Sequence, residues 1–403
     1  MKTSLIALAL FAFTATAVIF YPASAPVTTN TQPTLQTPLN QPTLNTNERP
    51  KIEVVFVLDT TGSMGGLLQT AKEKIWSIAS TMASAQPAPE IKIGLVAYRD
   101  RGDDYVTQVI DLSSDLDSMF ATLMDFEANG GGDSPESVNK ALNDAVNDIS
   151  WSQDTSSYKA IFLVGDAPPH MDYQDEIKFP QILSAAKQKD IIVNTIQCGA
   201  DNDTQKHWQQ IAQLANGRYF QVEQAGGAIA IATPFDDKIA SLSKQLDGTR
   251  LYYGTKEAKL KQRIKMDATK KLHASSSVSS RARRATYNSS KSGETNFLGE
   301  GELVDDIASG RVELSAIDSD QLPAPIKALA PAQQKAAIQE KAEQRQALKE
   351  SINKLAQQRQ HYLKEEVDKL GNTEKSLDYQ IFRAISEQAV KKGISYKDAA
   401  PAL

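Results

Sequence analysis

The sequence that decides the fold is IEVVFVLDTTGSM at residues 52–64. Its first seven residues are mostly β-branched or aromatic, which is typical of a buried strand, and the polar residues after them form a turn. Apolar residues then recur three or four positions apart, as on one face of a helix: Leu67, Ala71, Ile75, Ile78 and Met82. We therefore predict a buried strand, a tight turn and an amphipathic helix over this stretch.

The same unit of strand and helix recurs along the chain to about residue 248. Further strands are predicted at residues 90–98, 158–164, 191–197 and 219–222. Helices are predicted at residues 138–149 and near 175–189, 204–215 and 235–246. This alternation predicts an α/β domain over residues 51–248, a doubly wound and mostly parallel sheet with helices on both faces. Ligands of such folds bind at the carboxyl ends of the strands.

Oxygen-bearing side chains follow two of these strands. They are Asp59, Thr61 and Ser63 after the first strand and Asp166 after the strand at residues 158–164. A glycine-rich loop between them, NGGGDSPE at residues 129–136, adds Asp133 and Ser134. Hard divalent cations prefer such oxygen ligands, with waters completing the shell. We predict a cation site, with Mg²⁺ as the first choice and Mn²⁺ or Ca²⁺ as alternatives.

These residues and their order resemble the von Willebrand factor type A domain and its metal-ion-dependent adhesion site. The family's first motif, Asp-x-Ser/Thr-x-Ser, is similar to Asp59, Thr61 and Ser63, and its late aspartate is similar to Asp166. The glycine-rich loop resembles a GGGD-x-PE variant of the family, which implies Asp133 as the middle ligand, with Ser134 as the alternative. The resemblance further implies cation-dependent binding of a protein partner whose Asp or Glu carboxylate completes the metal shell.

Two other interpretations of these residues stay open. In one, Asp59 and Ser63 only cap the first helix and Asp133 caps the next. In the other, Asp59 is the nucleophile of a haloacid-dehalogenase-like phosphatase. That chemistry needs a second aspartate two residues later as general acid, and this position is Thr61. We therefore predict that the protein is not an enzyme.

The N-terminus carries an uncharged apolar run at residues 5–21. Residues 1–25 are predicted to be a signal peptide or an N-terminal membrane anchor, and residues 26–50 a Pro- and Thr-rich linker. The predicted location is periplasmic or at the cell surface, with an inner-membrane anchor if the segment is not cleaved. Export and a formal net charge of -5 disfavour nucleic acid as a partner.

The C-terminal part divides into two regions. Residues 249–322 are predicted to be a connecting region, first basic and Ser-rich and then acidic. Within it, residues 256–291 carry eleven basic residues against two acidic ones. This run predicts a surface for an anionic envelope or an acidic partner, or else a solvated helix face followed by a flexible loop at residues 275–280.

Residues 323–403 are predicted to be helical and coiled-coil-like, with Leu348, Ile352 and Leu355 on one seam. A second helix is predicted to bury Leu377 and Ile381. This region is expected to form a hairpin that packs on itself or on the domain, or to self-associate as a coiled coil. If the metal is only structural, the helical region becomes the binding part of a scaffold.

Overall fold

The computed structural model describes residues 49–132, 134–227, 231–370 and 375–397, apart from the side chains of residues 368 and 370. The predicted signal or anchor, nearly all of the linker and Asp133 lie outside these residues. Within the described part, we find no helix that is both long and apolar enough to cross a membrane.

A six-stranded sheet forms the centre of the α/β unit. Its strands are β1 (Lys51–Asp59), β2 (Glu90–Tyr98), β3 (Thr107–Ser113), β4 (Tyr158–Gly165), β5 (Ile192–Cys198) and β6 (Tyr219–Val222). Their order is β3-β2-β1-β4-β5-β6, and all are parallel except β3, which runs antiparallel to β2. The predicted doubly wound, mostly parallel sheet is confirmed. Leu58 of β1 lies beside Val164 of β4, so both strands end at the same edge.

Helices cover both faces of this sheet, as predicted. The first five are α1 (Gly65–Ala83), α2 (Leu116–Leu123), α3 (Val138–Asn147), α4 (Phe179–Gln188) and α5 (Asn202–Leu214). Side chains alternate across a strand, so Val54 and Phe56 pack on the side of α1 and α2, and Val55 and Val57 pack on the side of α3, α4 and α5. Because both faces of β1 are covered, its sequence is apolar almost throughout.

The strand β3 and the helix α2 are not predicted from the sequence. The strand β3 lies at the sheet edge with several side chains partly or fully exposed, so its sequence lacks the apolar run of a central strand. The helix α2 is short, and Asp115 caps it by accepting a hydrogen bond from Ser118 N at 3.3 Å. The helix predicted near residue 175 begins only at Phe179, where Pro180 occupies the first turn.

The helix predicted near residues 235–246 forms but packs away from the sheet. It is α6 (Asp236–Asp247), and it buries Ile239, Leu242 and Leu246 in a second core. That core also contains side chains of α8 (Val278–Ser289), α9 (Glu294–Leu298) and α12 (Pro331–Leu370). Leu348 and Ile352 of the predicted coiled-coil seam are buried in it.

The face of the sheet beside α1 is instead covered by α13 (Leu377–Ala389), from the far end of the chain. Its residues Leu377, Ile381 and Ile385 are buried in the core that β1, β4 and α1 share, which confirms the predicted burial of Leu377 and Ile381. A buried ion pair, Lys74 Nζ to Asp378 Oδ2 at 2.9 Å, joins α1 to α13. The α/β core is therefore completed by a helix more than a hundred residues beyond α6.

The region predicted as a connection is largely helical. It contains α7 (Lys256–Ser275), α8, α9 and α10 (Leu303–Ala308), and α11 (Ala324–Lys327) follows it. The prediction of a flexible loop at residues 275–280 is wrong, because α8 begins at Val278 and Ser277 caps it by accepting a hydrogen bond from Ser280 N at 3.1 Å. Short polar residues favour helix N-termini as well as loops, so the serine run did not distinguish the two.

A buried ion network holds these helices against the α/β unit. Asp117 of α2 accepts hydrogen bonds from Arg284 Nε at 2.7 Å and Thr269 Oγ1 at 2.8 Å. Arg284 also donates to Asp247 of α6 at 2.7 Å. Part of the basic run predicted as a surface is therefore buried: Lys265, Arg283 and Arg284.

We expect the fold to lose stability in acid through this network. Burial raises the pKa of Asp117, but the Arg284 guanidinium outweighs burial and lowers the pKa from 3.8 to about 2. A carboxyl group with a lowered pKa stabilises the fold above its unfolded pKa, and this contribution is lost as the pH falls from about 4 through about 2. The shift corresponds to about 2–3 kcal/mol. Urea unfolding across this range measures the loss; an Asp117→Asn variant should show a flatter pH dependence, and an equally steep one would contradict the assignment.

Candidate metal centre

The turn after β1 brings three of the predicted ligands together. Asp59 is the last residue of β1 and is only 1% exposed. Its Oδ1 accepts hydrogen bonds from Thr61 N at 2.9 Å and Thr61 Oγ1 at 2.6 Å. Thr61 Oγ1 lies 3.4 Å from Ser63 Oγ, and Ser63 is exposed. The three side chains thus form one polar cluster that opens to solvent at Ser63.

This turn does not act as a helix cap. The residue before α1 is Met64, and the residue before the single 3-10 turn at Gly62–Met64 is Thr61, and neither side chain makes a capping hydrogen bond. The helix α3 begins after Ser137, also without a side-chain cap. The caps-only interpretation is therefore wrong for Asp59 and Ser63, while Asp133 lies outside the described residues.

The fourth predicted ligand, Asp166, directly follows β4 and is half-buried. Its Oδ2 accepts a hydrogen bond from Gln224 Nε2 at 2.6 Å. The strand ends are tightly packed here: a Cβ on Gly165 would lie 2.4 Å from Tyr98 Oη and 2.9 Å from Asp59 Cβ. Only glycine allows the end of β4 to lie this close to the end of β1.

The glycine-rich loop is tied by backbone hydrogen bonds to the loops on either side of it. Gly62 N donates to Gly130 O at 3.1 Å, and Glu136 N donates to Pro168 O at 2.9 Å. Gly130 has a φ of 75°, and a Cβ there would lie 2.2 Å from Asp103 Oδ1. The loop therefore spans the gap between the β1 turn and the β4 turn. The exposed Ser134 belongs to this loop, while Asp133 lies outside the described residues.

Glu136 is a third acidic residue of the centre. It belongs to the glycine-rich stretch at residues 129–136 but is not among the predicted metal ligands. It is 3% exposed, and its Oε2 has no hydrogen-bond partner among the described residues. Burial, together with the negative charge of Asp59, raises the pKa of Glu136 to about 9. The glutamate directly after proline in the GGGDSPE stretch was the available signal.

Negative charge in this centre lacks a matching cation among the described side chains. Asp59 Oδ2 and Tyr98 Oη are buried without a hydrogen-bond partner there. Burial raises the pKa of Asp59 to about 7, although the hydrogen bonds from Thr61 oppose the shift. A buried carboxylate without a partner is costly, so the arrangement fits a bound cation.

The ligand types limit how such a cation is held. In the described part of the chain, no three side chains of Asp, Glu, His or Cys converge as metal ligands. Among the described residues, the oxygen groups of the centre are the carboxyl groups of Asp59, Asp166 and Glu136 and the hydroxyl groups of Thr61 and Ser63. This set suits a hard cation that retains several waters.

Comparison with known proteins agrees with the α/β fold. Residues 53–234 match the family model of the von Willebrand factor A domain. The chain contains a von Willebrand factor A domain. The region that matches the von Willebrand factor A family model ends before α6 and α13, so it omits the helix that completes the sheet face beside α1.

Similarity to individual proteins is confined to part of the chain. The chain is 28% identical over 119 residues to an ariadne-like RING finger protein of Acanthamoeba polyphaga mimivirus. This match covers 30% of this chain and 11% of that protein. The chain is 34% identical over 120 residues to von Willebrand factor A domain-containing protein 7 of Rattus norvegicus. This match covers 30% of this chain and 12% of that protein. The chain therefore spans about a ninth of the length of these relatives.

Among solved structures, the chain is similar to proximal thread matrix protein 1 from the mussel byssus, solved with a zinc-occupied MIDAS motif. The TM-score is 0.35 with 15% sequence identity, and the match covers 44% of this chain and 42% of that chain.

Proposed function

We propose that the von Willebrand factor A domain of this chain is a divalent-cation-dependent protein-binding module and not an enzyme. The observation that carries the proposal is the buried Asp59 carboxylate. One of its oxygens is held by Thr61, and the other has no partner among the described residues. It lies at a cluster that opens to solvent at Ser63, so a cation there remains accessible to a second protein.

The cation would be held by Asp59, Thr61, Ser63 and Asp166, directly or through water, with Asp133 or Ser134 as the further ligand. All of these groups are hard oxygen donors, which favours Mg²⁺, with Mn²⁺ and Ca²⁺ as alternatives. When bound, the cation supplies a Lewis-acidic position for an incoming oxygen ligand. Glu136 is buried beside these ligands, and its pKa of about 9 leaves it mainly protonated at neutral pH.

The partner is proposed to present an Asp or Glu carboxylate, as the family resemblance implies. The loop after β2 carries an exposed carboxylate of its own, Asp104. Like charges would repel an incoming carboxylate in the absence of a cation. Binding of the partner should therefore depend strictly on the metal.

Catalysis finds no support in the same geometry. A phosphatase would need a general acid two residues after Asp59, and Thr61 instead donates its hydroxyl to Asp59 Oδ1 at 2.6 Å. Export to the periplasm or cell surface is proposed from the N-terminal sequence alone, with residues 1–25 as signal or anchor.

Affinity capture from an envelope extract tests this function. The immobilised protein is expected to retain at least one protein in Mg²⁺ that EDTA releases, and Asp166→Asn should not retain it. Asp172→Asn is the matched control, because Asp172 belongs to the same loop after β4 as Asp166, but its side chain is 71% exposed and pairs with His170. The same set of retained proteins with and without EDTA would refute a cation-dependent interaction.

A further inference from the structure

An exposed apolar ridge lies on α7, outside the von Willebrand factor A domain match. Leu260 and Ile264 are 61% and 59% exposed, the two most exposed large apolar side chains in the described part of the chain. They are four residues apart and therefore lie one above the other on the same face of the helix. Exposing two neighbouring aliphatic side chains is unfavourable in water, so we expect this face of α7 to contact a binding partner.

Three exposed cations surround the ridge: Lys256, Lys261 and Arg263. The structure gives Lys256 and Lys261 no hydrogen bond or ion pair to another described residue, and Arg263 lies near Asp267, which Lys270 already binds at 2.8 Å. The acidic residues of this helix are Glu257 and Asp267, both exposed. We call Leu260, Ile264 and the three cations the α7 ridge.

The remaining cations of α7 are engaged within the chain. Lys265 binds Asp115, and Lys271 binds Asp125. Lys259 Nζ donates to Asp320 O at 3.0 Å and Leu322 O at 3.4 Å. The groove that α7 forms with residues 322–327 is lined by Lys259 and Lys270, which already have partners, and also by Arg263 of the ridge, whereas Lys256 and Lys261 lie outside it.

We propose that the α7 ridge is a contact site for an anionic lipid bilayer, with Leu260 and Ile264 entering the headgroup region and Lys256, Lys261 and Arg263 binding lipid phosphates. Exposed aliphatic side chains with long cationic ones beside them match the boundary between acyl chains and headgroups, where the stems lie in the apolar layer and the charges reach the phosphates.

Glu257 and Asp267 share this face, and Lys270 already pairs with Asp267, so the three cations of the ridge still outnumber the one carboxylate that lacks an ion pair among the described residues. We favour a bilayer over a partner protein because Leu260 and Ile264 do not line either of the grooves beside α7 in which a segment of a protein would be held.

The sequence supplies a second reason for a bilayer. Residues 5–21 are predicted to be a signal or anchor, and the predicted linker that follows, residues 26–50, is 25 residues long. If this segment stays in the membrane, it holds the folded unit close to the bilayer. A weak contact of α7 then becomes effective through high local concentration.

Vesicle flotation tests the proposal with residues 47–403, which form a compact unit of their own. Omitting the N-terminal apolar run removes its own affinity for lipid. The unit is expected to float with vesicles of phosphatidylglycerol and phosphatidylcholine at low salt, and to be released at about 0.5 M salt, where charges are screened within a few ångströms. Vesicles of phosphatidylcholine alone should retain much less of it.

Two variants separate the parts of the ridge. The apolar variant combines Leu260→Ser with Ile264→Ser, and the charge variant combines Lys256→Gln, Lys261→Gln and Arg263→Gln. Each variant should lower partitioning of the protein onto anionic vesicles by at least about tenfold. The matched controls are Ile177→Ser with Val390→Ser, which are 53% and 58% exposed elsewhere, and Lys335→Gln with Lys354→Gln and Lys364→Gln on the exposed side of α12. Both controls should float like the wild type.

The proposal is overturned if the wild type stays unbound at low salt, or if the control variants lose as much partitioning as the ridge variants. It is also overturned if the unit ignores anionic vesicles but binds a Glu-rich peptide through the same residues, because the ridge would then recognise an acidic protein. All of the substituted residues are exposed, so unchanged thermal melting is expected and checks that the variants fold.

Discussion

Deleting residues 375–403 is expected to abolish cooperative folding of the α/β unit. The deletion removes Leu377, Ile381 and Ile385 from the core beside α1, and it takes the Asp378 carboxylate away from the buried Lys74 ammonium. Each fully buried aliphatic side chain contributes about 1.5–3 kcal/mol, and loss of one member of a buried ion pair costs about 3–5 kcal/mol. Together these terms reach the whole stability of an ordinary domain, about 5–15 kcal/mol.

Thermal unfolding followed by circular dichroism measures this effect. Deletion of residues 1–46 is the control and should leave the transition in place, because residues 47–403 form a compact unit of their own. Ile381→Ala and Ile385→Ala are milder versions that should each cost about 2–5 kcal/mol in urea unfolding. A truncated chain that melts as sharply as the full chain would show that α13 is dispensable.

Fragments cut at the domain boundaries that the sequence indicates are expected to lack part of the α/β core. The predicted domain of residues 51–248 and the family match to residues 53–234 both lack α13. Periodicity identifies α13 as a helix with an apolar face, but it does not say which surface that face covers. The surface that α13 covers is decided by tertiary packing. The helix α6 has the same apolar pattern and follows the last strand directly in the sequence, but it packs away from the sheet.

The candidate centre was more predictable than the packing of the helices. Asp59, Thr61, Ser63 and Asp166 follow directly from strand ends, since parallel strands bring the residues after them to one edge. Glu136 was not predicted as part of the centre, because a glutamate in the first turn of a helix has an ordinary explanation. Its burial arises from backbone hydrogen bonds between the loops at residues 130 and 168, which no local pattern encodes.

Replacing Asp59 by asparagine is expected to have two effects of opposite sign. Without metal, Asp59→Asn should stabilise the fold by about 1–3 kcal/mol near pH 8, because it removes a buried charge whose second oxygen has no partner among the described residues. With metal, the variant should gain nothing, because the amide replaces the carboxylate ligand. A purely structural role for Asp59 predicts the reverse, a loss of stability in both conditions.

The most direct test is the melting temperature of residues 47–403 as Mg²⁺ is added, for the wild type and for Asp59→Asn. A ligand that binds only the folded state stabilises it by about 2.7 kcal/mol at a hundred times its Kd. The account predicts that the wild type starts below Asp59→Asn in EDTA and rises with Mg²⁺ and Mn²⁺, that the variant stays constant, and that the surface variant Asp172→Asn follows the wild type. A wild type whose melting temperature is unchanged by either cation would contradict the metal centre and the function proposed for it.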